Sequence, residues 1–125
     1  MADDAGSPHA RELRPRRPEV GRRGEDIAAR FLTDRGARIV GRNLRVGRDE
    51  IDLLVSIDGE RVVVEVKAAI DADSPARPEE NFDDAKAGRI RRAAARLDPP
   101  AWRIDLVTVV FGADGVAVRW LPGVD

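Results

Sequence analysis

Apolar positions recur along this chain with two different periods. From Val20 to Arg35, Ile27, Ala28, Phe31 and Leu32 fall on one side of a helix, and Gly36 marks its end. From Arg38 the period shortens toward two. Arg38 to Arg45 reads as a first strand with Ile39, Val40 and Leu44, followed by strands at Glu50 to Ile57 and Arg61 to Lys67. Residues 68 to 82, rich in Asp, Pro and Glu, read as a loop. The helical period returns from Asp83 to Leu97, with Ile90, Ala93, Ala94 and Leu97 inward, and Pro99-Pro100 stops it. Arg103 to Phe111 is a fourth strand, and Val116 to Trp120 a short fifth after a turn at Gly112 to Gly115. The order helix, three strands, helix, one or two strands predicts one α/β domain built on a mixed sheet. It is expected over residues 19–121. Residues 1–18 carry Pro8, Pro15 and Pro18 among small and charged residues with no periodic apolar face, so a disordered basic tail is expected there.

Asp58-Gly59 between two apolar runs is a two-residue hairpin signal. Ile57 then faces Glu60, Asp52 faces Glu65 and Glu50 faces Lys67. Alternation puts these four charges on one face of the hairpin, with Ile51, Leu53, Val55, Val62, Val64 and Val66 on the other. Two carboxylates directly opposite lie about 5 Å apart at Cβ and repel. Either one holds a proton at raised pKa, or a cation sits between them. A divalent ion would take Asp52, Glu65 and the Val66 backbone carbonyl, and hard oxygen ligands of that kind suit Mg²⁺, or Mn²⁺, better than Zn²⁺. The expected partner of Lys67 is Glu50. The plain alternative is a charged sheet face turned to water.

Composition narrows the chemistry. The chain has 125 residues, no cysteine and a single histidine, His9, in the expected tail, so thiolate and imidazole metal sites have no support. Net charge is −1, which leaves any nucleic-acid contact to a local patch. Of 22 basic residues only Lys67 and Lys86 are lysine, and lysine offers a compact, tunable ammonium that arginine does not. Lys86 lies four residues before Ile90, on the inward face of its helix. Arg89, Arg92 and Arg96 lie near one face of the same helix, as phosphate contacts or as a solvated surface. Glu25 falls inside the apolar arc of the first helix, where it either favours the helix start or points into a site. Trp102 and Trp120 read as packing residues. No apolar run approaches a membrane span and no signal-peptide core is visible, which fits a cytoplasmic protein without membrane partners.

The segments "GRRGEDIAARFL" (21–32), "GRNLR" (41–45), "DEIDLLV" (49–55), "VVVEVK" (62–67), "KAGRI" (86–90) and "RIDLV" (103–107) together resemble the small bacterial YraN-like family, described as predicted endonucleases. The acid followed by Glu-x-Lys on the next strand is similar to the wider PD-(D/E)XK superfamily, and archaeal Holliday-junction resolvases share the layout more distantly. The resemblance implies a restriction-endonuclease-like fold and a Mg²⁺-dependent endonuclease that hydrolyses phosphodiester bonds in DNA, branched or damaged DNA included. It implies metal-binding roles for Asp52 and Glu65, a water-activating or charge-stabilising role for Lys67, and support of the metal site by Glu25. Lys86 and Arg89 match a basic pair implied to contact phosphate. Asp105 matches the fourth-strand motif and reads as a local structural hydrogen-bonding group. Arg42, Asn43 and Arg45 match a polar segment to which no role is assigned. The second reading is a non-catalytic nucleic-acid-binding module with a vestigial nuclease site. Related resolvases act as dimers, which leaves a homodimer open. The chain departs from the pattern at Asp49, where many relatives carry Gly. It departs again at Ala68 and Ala69, where a hydroxyl or bulky residue and an Arg are usual.

Overall fold

The computed structural model describes residues 17–71 and 82–124; the expected tail up to residue 16 and most of the Asp- and Pro-rich loop lie outside them. Helix α1 spans Arg17–Asp34. Its end is closed by the Gly36 N–H donating to the Thr33 carbonyl and the Ala37 N–H to that of Leu32, each 3.0 Å. Strands β1 (Arg38–Val46), β2 (Asp49–Ile57) and β3 (Glu60–Ile70) follow, then α2 (Asp84–Ala95), β4 (Arg103–Gly112) and β5 (Gly115–Leu121). The strands form one sheet in the order β1-β2-β3-β4-β5. All neighbours are antiparallel except β3 and β4. A parallel pair needs a long crossover, and α2 lies within it. The mixed α/β architecture and the element order are those the sequence predicts. β3 runs three residues past Lys67 because its parallel ladder with β4 continues to Ile70 opposite Phe111. That pairing supplies partners to an Ala-Ala pair with little strand preference of its own.

Helices cover both faces of the sheet. On one, Ala28 and Leu32 of α1 pack with Leu53, Val55, Val62, Val64, Val107 and Val109. On the other, Ile90, Ala93 and Ala94 of α2 pack with Ile51, Leu54, Val63 and Ile104. Burying each large side chain in this way contributes about 1.5–3 kcal/mol. The α1 layer makes one very close approach: a Cβ on Gly24 would stand 2.6 Å from the Ala68 Cβ. Ala68 is therefore a helix-docking position, and its small size follows from the helix above it.

Two expectations change. Ile51 does not share a face with Leu53, since it packs in the α2 layer and Leu53 in the α1 layer. Strand β2 turns over between them, at Asp52. Trp102 is not a packing residue; it is 74% exposed. Trp120 is half-buried, and its indole N–H donates to Asp105 at 2.8 Å. Asp105 itself is fully buried. Its two oxygens also accept from Arg103 Nε and Nη2 and from the Gly123 N–H, each at 2.9 Å. A buried carboxylate with four donors, one of them a guanidinium fork, ties β4 to β5 and the residues after it.

Candidate functional site

The hairpin fixes the register on which the site depends. Asp58 and Gly59 both have positive φ, 51° and 83°, the conformation of a tight two-residue turn that glycine adopts freely. Ile57 pairs with Glu60, and the ladder runs without a shift to Leu53 opposite Val64. There it stops. The Asp52 carboxylate takes over: its Oδ2 accepts from the Val66 N–H at 2.9 Å. Beyond that point β2 remains paired to β1 and β3 to β4, so the sheet opens between its second and third strands. Side chains from both helical layers reach this opening.

Asp52 and Glu65 meet there as the hairpin register requires. Burial first, then the charge and hydrogen bond of Asp52, push the Glu65 carboxyl up to about 7. Its side chain is only 12% exposed. Lys67 and Lys86 pull in the other direction without cancelling the effect. The Lys67 ammonium stands 3.5 Å from Glu65 Oε2. Its partner is thus Glu65 on its own strand, not the expected Glu50, which is exposed. Lys67 follows Glu65 by two residues on the same pleat, so the ion pair needs no further element.

Each helix adds a group. Glu25, in the third turn of α1, is half-buried, as its place inside the apolar arc predicts. Burial raises its pKa, and so do Asp52 and, more weakly, Glu50, while a hydrogen bond from Asn43 and the charge of Arg42 oppose the rise. Lys86 enters from the first turn of α2. Its backbone N–H donates to the N-cap side chain of Asp83 at 2.9 Å, which fixes that turn. A cation so near a helix N-terminus opposes the helix dipole, so helix stability does not account for it. The neighbouring Lys67 is the main cause that lowers its pKa, ahead of burial. Both lysines of the chain therefore converge on one place.

The three arginines expected along this helical face, the last of them the C-cap residue of α2, divide. Arg89 and Arg92 are exposed. Arg96 folds back over the β1–β2 turn: a Cβ on Gly47 would lie 2.6 Å from its Nη1. The row expected from helical spacing is thus two outward arginines between a site lysine and a turn-packing arginine. Asn43, exposed on β1, has a positive φ of 51° that its sequence context does not signal. Among the described residues no three acids or histidines group closely enough to hold a metal unaided. Two facing carboxylates suit an ion that keeps several waters and takes few protein oxygens, as Mg²⁺ does.

The chain belongs to UPF0102, described as an uncharacterised protein family, whose sequence model matches residues 24–109. That span begins one residue before Glu25 and includes Asn43, Asp52, Glu65, Lys67 and Lys86. A UPF0102 protein of Solibacter usitatus is 41% identical over 124 residues, covering 91% of this chain and 92% of its own. One from Roseiflexus castenholzii is 36% identical, covering 86% and 93%. One from Aquifex aeolicus is 39% identical, covering 74% and 86%.

Proposed function

We propose that this UPF0102 chain is a Mg²⁺-dependent endonuclease of the PD-(D/E)XK type, hydrolysing phosphodiester bonds in DNA, branched or damaged DNA included. The observation that carries the reading is the half-buried pair Asp52–Glu65, brought together where the β2–β3 ladder stops, with the Lys67 ammonium 3.5 Å from Glu65. Folding places the Asp52 charge beside the Glu65 carboxyl and raises the cost of ionising Glu65, an arrangement that a divalent cation relieves.

Asp52, Glu65 and the Val66 carbonyl would hold the ion, with Mn²⁺ able to replace Mg²⁺. When bound, it supplies a Lewis acid for a phosphoryl oxygen and lowers the pKa of water. Lys67 holds the attacking water and offsets the negative charge that builds on phosphorus. Glu25 supports the metal site from α1. Lys86 meets the phosphate from α2, and the outward Arg89 and Arg92 contact neighbouring phosphates, which positions a duplex without reading its sequence. Arg96 stabilises the β1–β2 turn beside them.

The test is cleavage of linear, supercoiled, single-stranded and branched DNA by purified protein with Mg²⁺ or Mn²⁺. Cutting of at least one form is expected, with loss in EDTA and in Glu65→Ala and Lys67→Ala. No cutting of any form would overturn the proposal. Salt-dependent binding without cutting, retained in both variants, would identify a nucleic-acid-binding module instead.

A further inference from the structure

Helix α2 carries a glycine in its interior, where glycine is the poorest helix former after proline. Gly88 is the fifth residue of Asp84–Ala95. Packing does not require it. Two residues before the buried Ile90, it lies about 200° around the helix and faces away from the sheet. A Cβ built there would meet only Arg92 Nη1, at 3.9 Å, an ordinary contact. Gly24 of α1 is the contrast, since the Ala68 Cβ stands 2.6 Å from its Cβ position. Gly21 of α1 is open as well, but no side chain leans over it. Around the half-buried Gly88, Ala85, Arg89, Arg91 and Arg92 are all exposed, so the glycine floors a shallow hollow in the helix surface. Arg92, one turn further on, leans back over that hollow, as long helical side chains do. Other arginines take acids: Arg30 holds Asp34, Arg42 holds Asp26, and Arg103 holds Glu60 and Asp105. Neither Arg89 nor Arg92 pairs with an acid among the described residues.

We propose that the hollow at Gly88 seats the phosphodiester backbone of a nucleic acid: the missing Cβ lets a phosphate come down onto the surface of α2, within reach of the Arg89 and Arg92 guanidiniums. The inference deepens the proposed function and rests on its nucleic-acid partner, not on cleavage. Glycine is the residue that lets a ligand approach the backbone closely. An anion suits the hollow because the charge beside it is positive and unpaired, and contacts to phosphate oxygens place a strand without reading its sequence. At about 100° per residue, Arg92 and then Arg89 lie on the arc that leads around α2 from Gly88 to Lys86. A strand seated at Gly88 is thereby led to Lys86 and the opening that holds Asp52 and Glu65. Helix stability is given up for this contact, so replacing the glycine should move stability and binding in opposite directions.

The test is Gly88→Ala and Gly88→Gln, both better helix formers than glycine and neither a change of charge. Each should melt at or above the temperature of the parent chain. Affinity is read by fluorescence anisotropy of labelled linear and branched DNA duplexes, with Ca²⁺ in place of Mg²⁺. It should fall roughly fivefold for Gly88→Ala, and further for Gly88→Gln, as the added atoms hold the backbone off. Arg92→Gln should weaken binding and reduce the log–log salt slope by about one. Parent-like affinity in both glycine variants, or an unaltered salt slope in Arg92→Gln, would overturn the proposal. So would a lowered melting temperature in both glycine variants, which would assign the hollow to the chain's own residues, and so would a parent chain that binds neither duplex. The nuclease reading fails separately. A parent chain that binds without cutting loses that reading, while weaker binding by Gly88→Ala still sustains the seat; a parent chain that cuts, with Gly88→Ala and Gly88→Gln binding as tightly, keeps the reading and loses the seat.

Discussion

Glu65 carries the largest consequence of single-residue burial in the site. Its pKa of about 7, against an ordinary 4.5, means that between these values the folded chain keeps a proton that the unfolded chain has released. Stability from this group is therefore full below pH 4.5 and is lost as pH rises toward 7. In metal-free protein Glu65→Gln should exceed the parent chain in stability at pH 8, by an amount on the order of 1–3 kcal/mol. The difference should vanish near pH 4, as read by urea denaturation at both values. A variant weaker at pH 8 would contradict the buried repulsion. The Asp52–Glu65 facing was legible before any coordinates, because Asp-Gly fixes a register and a register fixes neighbours. The partner of Lys67 was not. Cross-strand pairing points to Glu50, but the ladder opens before that pair forms, and the closer acid is two residues back on the same strand. Asn43 was not legible either. Nothing in "GRNLR" signals a left-handed residue within a strand.

Among the elements, periodicity located both helices and all five strands, since each has an apolar face or run and a recognisable stop. It failed where tertiary pairing outweighs local preference, at the Ala68–Ile70 end of β3, and where β2 exchanges faces at Asp52. The same limit applies to Ala68. A small residue after the lysine looks like a missing substrate contact, whereas it is the point where α1 rests on β3. Filling that contact tests the reading. Gly24→Ala gains up to about 1 kcal/mol in helix propensity. It also drives two Cβ atoms to 2.6 Å, and overpacking of that kind costs about 1–3 kcal/mol. The variant should be net destabilised in a denaturant titration, and Gly24→Ala with Ala68→Gly should recover most of the loss. Additive losses in the double variant would place the strain elsewhere.

For the molecule as a whole, two helical layers on opposite faces of one sheet both reach the opening between β2 and β3. A ligand that bridges Asp52 and Glu65 binds only when α1, β2, β3 and α2 are assembled, so it stabilises the entire fold. Millimolar Mg²⁺ should raise the melting temperature. Saturation a hundredfold above Kd corresponds to about 2.7 kcal/mol. Asp52→Asn with Glu65→Gln should remove the rise. A metal-independent melting temperature in the parent chain would count against the cation site. Among the described residues no helix is long and apolar enough to cross a membrane.

The bond from the Val66 N–H to Asp52 Oδ2 has a spectroscopic consequence. One backbone proton of β3 leaves the hairpin ladder and answers instead to a side chain of the site. Its resonance and its rate of exchange with solvent thus depend on what else that carboxylate holds. Val66 is a native reporter: without any attached label, a single amide signal would register metal loading as it happens.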